Sequence, residues 1–320
     1  MTDRLLIVIP TLNEEAHIAA VLQSLIADAP ANAKIIVADG GSTDSTRTIV
    51  ANFPRVTLLD NPQQLQGAGI NHAVETFGHD CTLLLRADAH ATYPAGFIPA
   101  LLDELCATDA DSITVPMQTL GPTPFTEAVA AAQNSVLGTG GSAHRTGKGG
   151  RFVDHGHHAL MRLSAFRAAG GYDPRQSHNE DAELDYRLRA TGHTIWLTDK
   201  TRIGYVPRST FAALFRQYFK HGKGRAHTAQ KHNMRLKLRQ IAPLLVLSSV
   251  LLAVVGLGLS LLNPLWLILA APAAIWAVLC LILGTVLALK ARRLPVLLAG
   301  PAAMVMHLGW GLGFLTASRQ

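Results

Sequence analysis

The first part of the chain alternates short, continuous apolar runs with longer stretches in which apolar residues recur every three or four positions. The short runs are rich in Val, Ile and Leu, as in strands that are covered on both faces of a sheet, and the longer stretches have helical spacing. The predicted strands are residues 5–10, 34–39, 55–60, 81–88 and 112–116, and the predicted helices are residues 13–28, 45–52, 67–76 and 95–106. This alternation predicts an α/β fold with a mostly parallel sheet flanked by helices.

Polar residues stand where the predicted strands end. Asn13, Asp39, Asp60 and Asp88 all follow such runs, and open α/β sheets bind ligands at the carboxyl ends of their strands. We therefore expect a ligand site at this edge, with Asn13 or Thr11 capping the helix that follows the first strand. Neither GxGxxG after the first strand nor GxxxxGK[ST] anywhere occurs, which argues against nicotinamide-dependent and P-loop enzymes.

Three apolar segments without charged residues lie near the end of the chain, at residues 244–262, 265–289 and 296–317. Each is long enough to cross a hydrocarbon core of about 30 Å, so three membrane spans are predicted. The alternative is two spans with a hairpin that turns inside the bilayer. Basic junctions at residues 235–240 and 290–293 place the soluble part inside and the C-terminus outside by the positive-inside rule.

Charge divides the chain in the same way. Residues 1–199 hold 13 basic and 22 acidic side chains, whereas residues 200–320 hold 15 basic and no acidic ones. This asymmetry indicates an acidic soluble domain held at an anionic membrane surface, with lipids and not nucleic acid as the partner of the basic tail. The three cysteines are scattered and form no CxxC, which fits a reducing cytoplasm and argues against disulfides and a zinc site. The N-terminal apolar run is too short for a signal peptide.

The segment after residue 210 has the spacing of an amphipathic helix. Its apolar positions are Phe211, Leu214, Phe215, Tyr218 and Phe219, and basic residues occupy other sides of the helix. This pattern predicts a helix at the bilayer interface. A helix packed on the core of its own domain would show the same spacing.

Five motifs stand in one order along the chain: IPTLNEE, VADGGSTDST, GAGINHA, RADAHATYP and NEDAELDYRLRATG. In this order and spacing, residues 4–225 resemble the inverting family 2 glycosyltransferases, which have the GT-A fold. RADAHA, the apolar spans and MHLGWGLGF at residues 306–314 resemble more narrowly the bacterial exopolysaccharide members of that family.

The resemblance implies roles for individual residues. Asp88 would bind the metal ion, Asp181 would be the catalytic base and Glu180 would lie beside it at the substrate. The implied nucleoside and donor contacts are Pro10, Thr11, Asn13, Glu14, Asp39, Gly67 and Asn71. Lys220, Lys223 and Arg225 would close over the donor diphosphate, although the QxxRW motif of processive relatives is absent, which argues against processive polymerisation.

The sequence departs from the family at His90, where an acidic residue is usual. Imidazole suits Mn²⁺ whereas Mg²⁺ prefers oxygen ligands, so this position favours manganese as the divalent cation. Alternatively, His90 hydrogen-bonds the diphosphate or packs under the loop, and Asp88 holds Mg²⁺ with water and the donor.

His155, His157 and His158 form a second cluster of histidines. Strand alternation would place His155 and His157 on one side, and no fourth metal ligand is evident. We therefore expect acceptor-facing or structural side chains rather than a metal centre. No chemistry is assigned to the glycine-rich basic run at residues 138–151.

Together these features predict a catalytic domain at residues 1–208, an interfacial segment at 209–240 and a membrane domain at 241–320. The resemblance implies transfer of glucose from UDP-glucose to a polyprenyl-diphosphate-linked saccharide at the bacterial inner membrane. The alternatives are transfer to a polyprenyl phosphate, or a catalytically silent scaffold in a polysaccharide export complex.

Overall fold

The computed structural model describes residues 4–141 and 149–317, and the chain separates into two compact units. The first unit comprises Met1–Gln118 and Gly147–Tyr205, and the second comprises Thr119–Thr146 and Val206–Gln320. Most of the glycine-rich run, residues 142–148, lies outside the described residues, as do residues 318–320.

The five predicted strands are all present, with ends that differ by a few residues at most. The strands are β1 Leu5–Thr11, β2 Lys34–Asp39, β3 Val56–Asp60, β4 Leu83–Arg86, β5 Ala91–Thr92, β6 Ser112–Val115, β7 Met117–Thr119, β8 Arg151–Phe152, β9 His157–Arg162, β10 Ile195–Leu197 and β11 Ile203–Tyr205. The main sheet has the order β3-β2-β1-β4-β9-β6-β10-β8, and β5, β11 and β7 form a small second sheet.

The main sheet is mixed. Strands β3, β2, β1 and β4 are parallel neighbours, whereas β9 runs antiparallel to both β4 and β6. The α/β fold class is therefore confirmed, and the antiparallel insertion of β9 is the feature that the early strand pattern did not predict. Its position matters because it brings the histidine cluster beside the strand that leads to Asp88.

The apolar runs of β1 supply residues to both faces of the sheet. Leu5, Ile7 and Ile9 belong to one buried cluster, and Leu6 and Val8 belong to the other. The prediction of strands covered on both faces is wrong for β3, whose residues are half-buried or exposed because it is the edge strand.

The helices are as follows: α1 Ile18–Asp28, α2 Thr46–Ala51, α3 Gln66–Phe77, α4 Phe97–Thr108, α5 Pro124–Gln133, α6 Val136–Thr139, α7 Leu163–Ala168, α8 Glu180–Ala190, α9 Phe211–Lys231, α10 Leu238–Leu259, α11 Ala271–Ala291 and α12 Ala299–Leu315. Short 3₁₀ segments, Pro264–Ala270 and Leu294–Leu298, precede α11 and α12. The prediction that Asn13 or Thr11 caps the first helix is wrong, because α1 begins only at Ile18. Asn13 instead has a left-handed backbone with φ of 55°, in the turn that follows β1.

Three helical segments of the second unit are long and apolar enough to cross a membrane: Leu238–Leu259, Pro264–Ala291 and Leu294–Leu315. They correspond to the three predicted apolar segments. Their mean hydropathies are 2.4, 2.5 and 1.4, so the last is clearly the least apolar.

Helix α9 packs closely on α12, the last helix of the chain. A side chain added at Gly313 would lie 1.9 Å from the carbonyl oxygen of Phe219, and one added at Gly222 would lie 2.0 Å from that of Trp310. These glycines therefore let the two backbones approach to a distance that no larger residue permits. The aromatic side of α9 covers another helix of its own unit.

Candidate active site

Two loops at the carboxyl edge of the sheet are joined by hydrogen bonds. The amide of Asn13 donates to the Ser42 hydroxyl at 2.9 Å, and the Asn13 side-chain oxygen accepts from the Thr43 amide at 2.8 Å. The amide of Glu14 donates to the Thr46 hydroxyl at 2.8 Å. The turn after β1 and the turn after β2 therefore form one rigid ledge.

Asp39 lies at the base of this ledge, paired in register with Thr11 of β1, which follows Pro10. Its carboxylate accepts from Ser42 and from the guanidinium of Arg47, which is 2.8 Å away and also reaches Asp60 at 2.8 Å. Burial opposes ionisation of Asp39, but these hydrogen bonds outweigh it, and the pKa of Asp39 lies below its usual value. Asp39 is thus a fixed anion with its oxygens already engaged.

Arg86 connects three carboxylates at the end of β4. One guanidinium nitrogen lies 3.3 Å from Asp88 and 3.4 Å from Glu180, and the other pairs with Asp181. All four side chains are largely buried. Asp88 and Asp181, which are far apart in the sequence, are thereby held in one cluster.

His157, the first residue of β9, bridges the same two aspartates. Its Nε2 lies 3.3 Å from Asp88 and its Nδ1 lies 3.5 Å from Asp181. The placement of His155 beside His157 by strand alternation is wrong. His155 precedes the strand, and it shares Asp185 as a partner with His158.

The electrostatics of the cluster follow from burial and from the two cations. Burial opposes ionisation of Asp88 and Asp181, yet Arg86 and His157 outweigh it and hold the pKa of both carboxyls far below the usual range. Burial alone would lower the pKa of His157, but Asp88 and Asp181 raise it to about 9. Burial raises the pKa of Glu180 to about 7, with Arg86 opposing the rise and Asp181 adding to it.

Gly67 and Asn71, on α3, both contact Tyr172. The Asn71 side chain donates to the Tyr172 carbonyl at 2.7 Å and accepts from its amide at 2.9 Å, and Gly67 leaves room for its Cβ. The Tyr172 hydroxyl in turn donates to Asp181 at 3.0 Å. Both α3 residues therefore position Tyr172, and through it the carboxylate of Asp181.

Sequence reasoning missed four residues of the cluster: Gln66, Arg86, Tyr93 and Tyr172. Gln66 donates to Asp88 at 3.0 Å and accepts from Arg86 at 3.1 Å, and the Tyr93 hydroxyl accepts from the Asp88 amide at 2.6 Å. Arg86 could have been found, because a charged residue inside the apolar run LLLRAD needs a buried partner. The other three carried no comparable signal.

A second buried group lies one helical turn beyond Asp181. The carboxylate of Asp185 contacts His155 at 2.5 Å and His158 at 2.8 Å, and Nδ1 of His158 lies 2.9 Å from the Ser112 hydroxyl. Asp185, His158 and Ser112 are fully buried, which makes them structural. Together they connect α8 to β9 and β6, and so fix the helix that carries Asp181.

Asp88 and His90 supply the donor types for a divalent cation, one carboxylate and one imidazole. The Nδ1 atom of His90 lies 2.9 Å from Glu14, an arrangement typical of a histidine that a second carboxylate orients. Within the described residues, no three His, Cys, Asp or Glu side chains form a preformed metal centre. These residues therefore fit a cation that takes most of its remaining ligands from a bound diphosphate and water.

The basic residues predicted to close over the diphosphate lie on α9 of the second unit. Lys220 and Lys223 are exposed there, and Arg225 is half-buried.

Comparison with known proteins identifies the family and the fold. The profile of "Glycosyl transferase family 2" matches residues 6–170. The succinoglycan biosynthesis protein ExoA of Rhizobium meliloti (strain 1021) is 49% identical over 314 residues, which are 97% of this chain and 93% of that protein. An uncharacterized glycosyltransferase of Mycobacterium tuberculosis (strain ATCC 25618 / H37Rv) is 30% identical over 103 residues, 32% of this chain and 44% of that protein.

Among solved structures, the mannosyltransferase PcManGT from Pyrobaculum calidifontis, in complex with GDP-Man and Mn²⁺, superposes with a TM-score of 0.57. The match covers 96% of this chain and 86% of that one at 17% identity, so it shows a similar fold and nothing further. The predicted GT-A fold is thereby confirmed.

Proposed function

This chain belongs to glycosyltransferase family 2 and is a glycosyltransferase, and from that premise we propose that it transfers glucose from UDP-glucose to a polyprenyl-diphosphate-linked saccharide in bacterial exopolysaccharide biosynthesis. Its 49% identical relative is a succinoglycan biosynthesis protein, which supports the pathway. The three apolar helices support an acceptor that is itself anchored in a membrane.

One observation carries the catalytic part of the proposal. Asp88 and Asp181 lie in the same buried cluster, connected through Arg86 and through both ring nitrogens of His157. Single-displacement transfer needs one group that serves the leaving diphosphate and another that serves the incoming hydroxyl. Two carboxylates at one site, near the carboxyl edge of the sheet, meet that need.

In the proposed mechanism, Asp88 and His90 would hold a divalent cation, Mn²⁺ or Mg²⁺. When bound, such a cation neutralises the charge that develops on a departing nucleoside diphosphate. Glu14 orients the His90 ring through its 2.9 Å contact. The ledge formed by Asn13, Glu14 and the turn after β2 binds the nucleoside, and Asp39 lies at its base.

Asp181 takes the proton of the acceptor hydroxyl as it attacks, and the anomeric centre is inverted. Arg86 and Tyr172 fix the Asp181 carboxylate through its Oδ1 atom, and His157 contacts Oδ2. The ion pair keeps Asp181 anionic in the resting enzyme. The burial of the cluster limits competition from water for the sugar.

The test is an assay of the purified chain against a panel of radiolabelled nucleotide sugars, with native lipid extract as acceptor and Mn²⁺ or Mg²⁺ added. We expect label from UDP-glucose to enter a lipid-linked product, and Asp181→Asn to remove nearly all of that transfer. Transfer only from another nucleotide sugar would overturn the donor assignment.

The acceptor is tested by replacing the extract with a polyprenyl phosphate. A labelled product that is labile to mild acid and contains only one sugar would refute the saccharide acceptor. The absence of transfer from every donor, with the folded chain present, would favour the scaffold and refute the proposed activity.

A further inference from the structure

The two most apolar helices of the second unit form a hairpin. Gly256 of α10 lies against the carbonyl oxygen of Trp266 and the side chain of Leu269, on the other side of the turn at residues 260–263. We call this the turn end of the hairpin. The other end, where α10 begins at Leu238 and α11 ends at Ala291, is its open end.

Helix α12 contacts this hairpin along a stretch of eleven residues, about 16 Å of its own axis. Gly300 lies against Cys280 and Leu281 of α11, and Gly311 lies against Pro243 and Leu247 of α10. Between them, the indole of Trp276 on α11 donates to Nδ1 of His307 at 3.3 Å. The contacts on α10 fall in the half of that helix farther from the turn, whereas those on α11 extend from its middle into the half nearer the turn. Since α12 ends at Leu315, only about 6 Å beyond Gly311, it does not reach the turn end.

Helix α9 gives independent evidence on how deeply the α9–α12 contact lies in the bilayer. It runs in the same direction as α12 through their contact, with Phe215 beside Gly309 and Phe219 beside Gly313. Away from this contact, α9 exposes Arg216, Lys220 and Lys223, which lie at successive turns of the helix. Each cation at the centre of a bilayer costs roughly 3 kcal/mol, so α9 cannot follow α12 across the hydrocarbon core.

The surroundings of α12 also differ from those of the hairpin. Half of its segment is buried within the protein, compared with 6% and 11% for the segments that contain α10 and α11. Met306 packs on Gly138 of α6, and Nε2 of His307 lies 2.8 Å from the carbonyl oxygen of Leu137. A helix covered by polar contacts and by other helices presents little surface to lipid.

We propose that the chain crosses the bilayer twice, through α10 and α11, that α12 enters the bilayer beside α11 and ends on the side of the open end, and that the cations of α9 lie in the headgroup layer on that same side. Arg216, Lys220 and Lys223 then contact the phosphates of anionic lipids, which attract cations at this depth. The C-terminus lies on the same side of the membrane as the basic junctions, not on the opposite side as the three-span prediction has it. This inference does not depend on the proposed function.

The experiment uses the full chain, with Cys81, Cys106 and Cys280 replaced by serine and one new cysteine introduced at a time. Leu315→Cys reports on which side of the membrane α12 ends, and Leu261→Cys reports the side of the turn. Gln230→Cys marks the side of the basic junctions. All three positions are exposed. Each variant is labelled with a membrane-impermeant maleimide in spheroplasts, before and after permeabilisation.

We expect Leu315→Cys to label like Gln230→Cys, only after permeabilisation, and Leu261→Cys to label before it. Labelling of Leu315→Cys together with Leu261→Cys would overturn the two-span topology. A C-terminal alkaline phosphatase fusion is a second test of the topology. We expect this fusion to be inactive, and an active fusion would likewise refute the proposal.

The headgroup layer is tested with Arg216→Cys and Leu251→Cys, an exposed apolar position on α10. We expect Arg216→Cys to label after permeabilisation and Leu251→Cys to resist labelling, because hydrocarbon excludes the charged reagent. Equal resistance of both positions would show that α9 lies inside the hydrocarbon and would remove the lipid-phosphate contact.

Discussion

Two cations hold three carboxylates together at the centre of the candidate site. Arg86 contacts Asp88, Glu180 and Asp181, and His157 contacts Asp88 and Asp181 from the other side. Without these cations, the carboxylates would repel one another in a buried environment. The arrangement also gives the neighbours Glu180 and Asp181 opposite protonation tendencies, which makes their roles separable by experiment.

Asp181→Asn should lower the rate of transfer by roughly 10²–10⁴, the usual contribution of a general base, and leave donor binding unchanged. Glu180→Gln should cost much less, since the pKa of Glu180 is about 7 and the amide resembles its protonated form. Single-turnover rates and UDP binding by calorimetry measure the two effects. A Glu180→Gln variant as inactive as Asp181→Asn would assign the proton transfer to Glu180.

His90→Asp should shift the metal preference of the reaction from Mn²⁺ towards Mg²⁺, because it replaces an imidazole ligand with oxygen. The measurement is the ratio of transfer rates with the two ions after chelator treatment. Glu14→Gln is the matched control, since it changes the partner of His90 and leaves the imidazole in place. An unchanged ratio in His90→Asp would mean that His90 does not bind the ion.

Asp185→Asn should destabilise the first unit by about 3 kcal/mol, because it leaves the buried His158 without its counter-ion. The pKa of His158 is raised in the folded state, so its ion pair with Asp185 stabilises the fold fully below pH 6.5. This stabilisation is lost as the pH rises through the folded-state pKa of His158. The lowered pKa of Asp185 means that its contribution is present above pH 3.8 and is lost as the pH falls below it.

The difference in Tm between wild type and Asp185→Asn should therefore be largest between about pH 4 and 6.5. It should become smaller both below and above this pH range. Asp154→Asn, in an exposed pair with Arg189, should shift Tm little at any pH. A difference that does not vary with pH would mean that Asp185 acts only through packing.

The sequence identified Asp88, Asp181 and Asp39 because each follows a strand or opens a helix within a recognisable motif. It did not identify His157 as their partner, because β9 enters the sheet in the antiparallel direction between β4 and β6. The pairing that brings His157 to Asp88 is long-range and leaves no periodic signal in either segment. The prediction for His155 failed for a different reason, since alternation applies only within a strand and β9 begins at His157.

At the scale of elements, glycines determine how closely α9 and α12 pack. Gly313→Ala should destabilise the second unit by about 1–3 kcal/mol, because the new methyl group would overlap the Phe219 carbonyl oxygen. Gly258→Ala, on α10 with no neighbour within 4 Å, should be neutral or slightly stabilising. Thermal unfolding in detergent tests both, and equal effects would show that the α9–α12 contact is loose.

The aromatic spacing of α9 predicted an amphipathic helix correctly, but not the surface that covers it. Phe215 and Phe219 meet a glycine-rich face of α12, and that face resembles any other apolar stretch in sequence. Apolar content likewise predicted three segments of sufficient length. It could not distinguish lipid from protein as their surroundings, since both favour the same residues.

At the scale of the molecule, the second unit is assembled from two distant parts of the chain. Helices α5 and α6 precede part of the first unit in sequence, and the rest of the second unit follows it. Glu127 of α5 pairs with Arg293, 166 residues later, at 3.0 Å. Apolar residues Val129 and Ala132 of α5 share a buried cluster with Ala299 and Ala302 of α12.

This discontinuity has a consequence during synthesis. At about 5–20 residues per second, a ribosome needs roughly ten to thirty seconds to proceed from Glu127 to Arg293. Throughout that interval, the alanine-rich face of α5 lacks the part of its native cover that α12 supplies. We therefore expect α5 to expose apolar side chains on the nascent chain before the first helix that is apolar enough to cross a membrane leaves the exit tunnel.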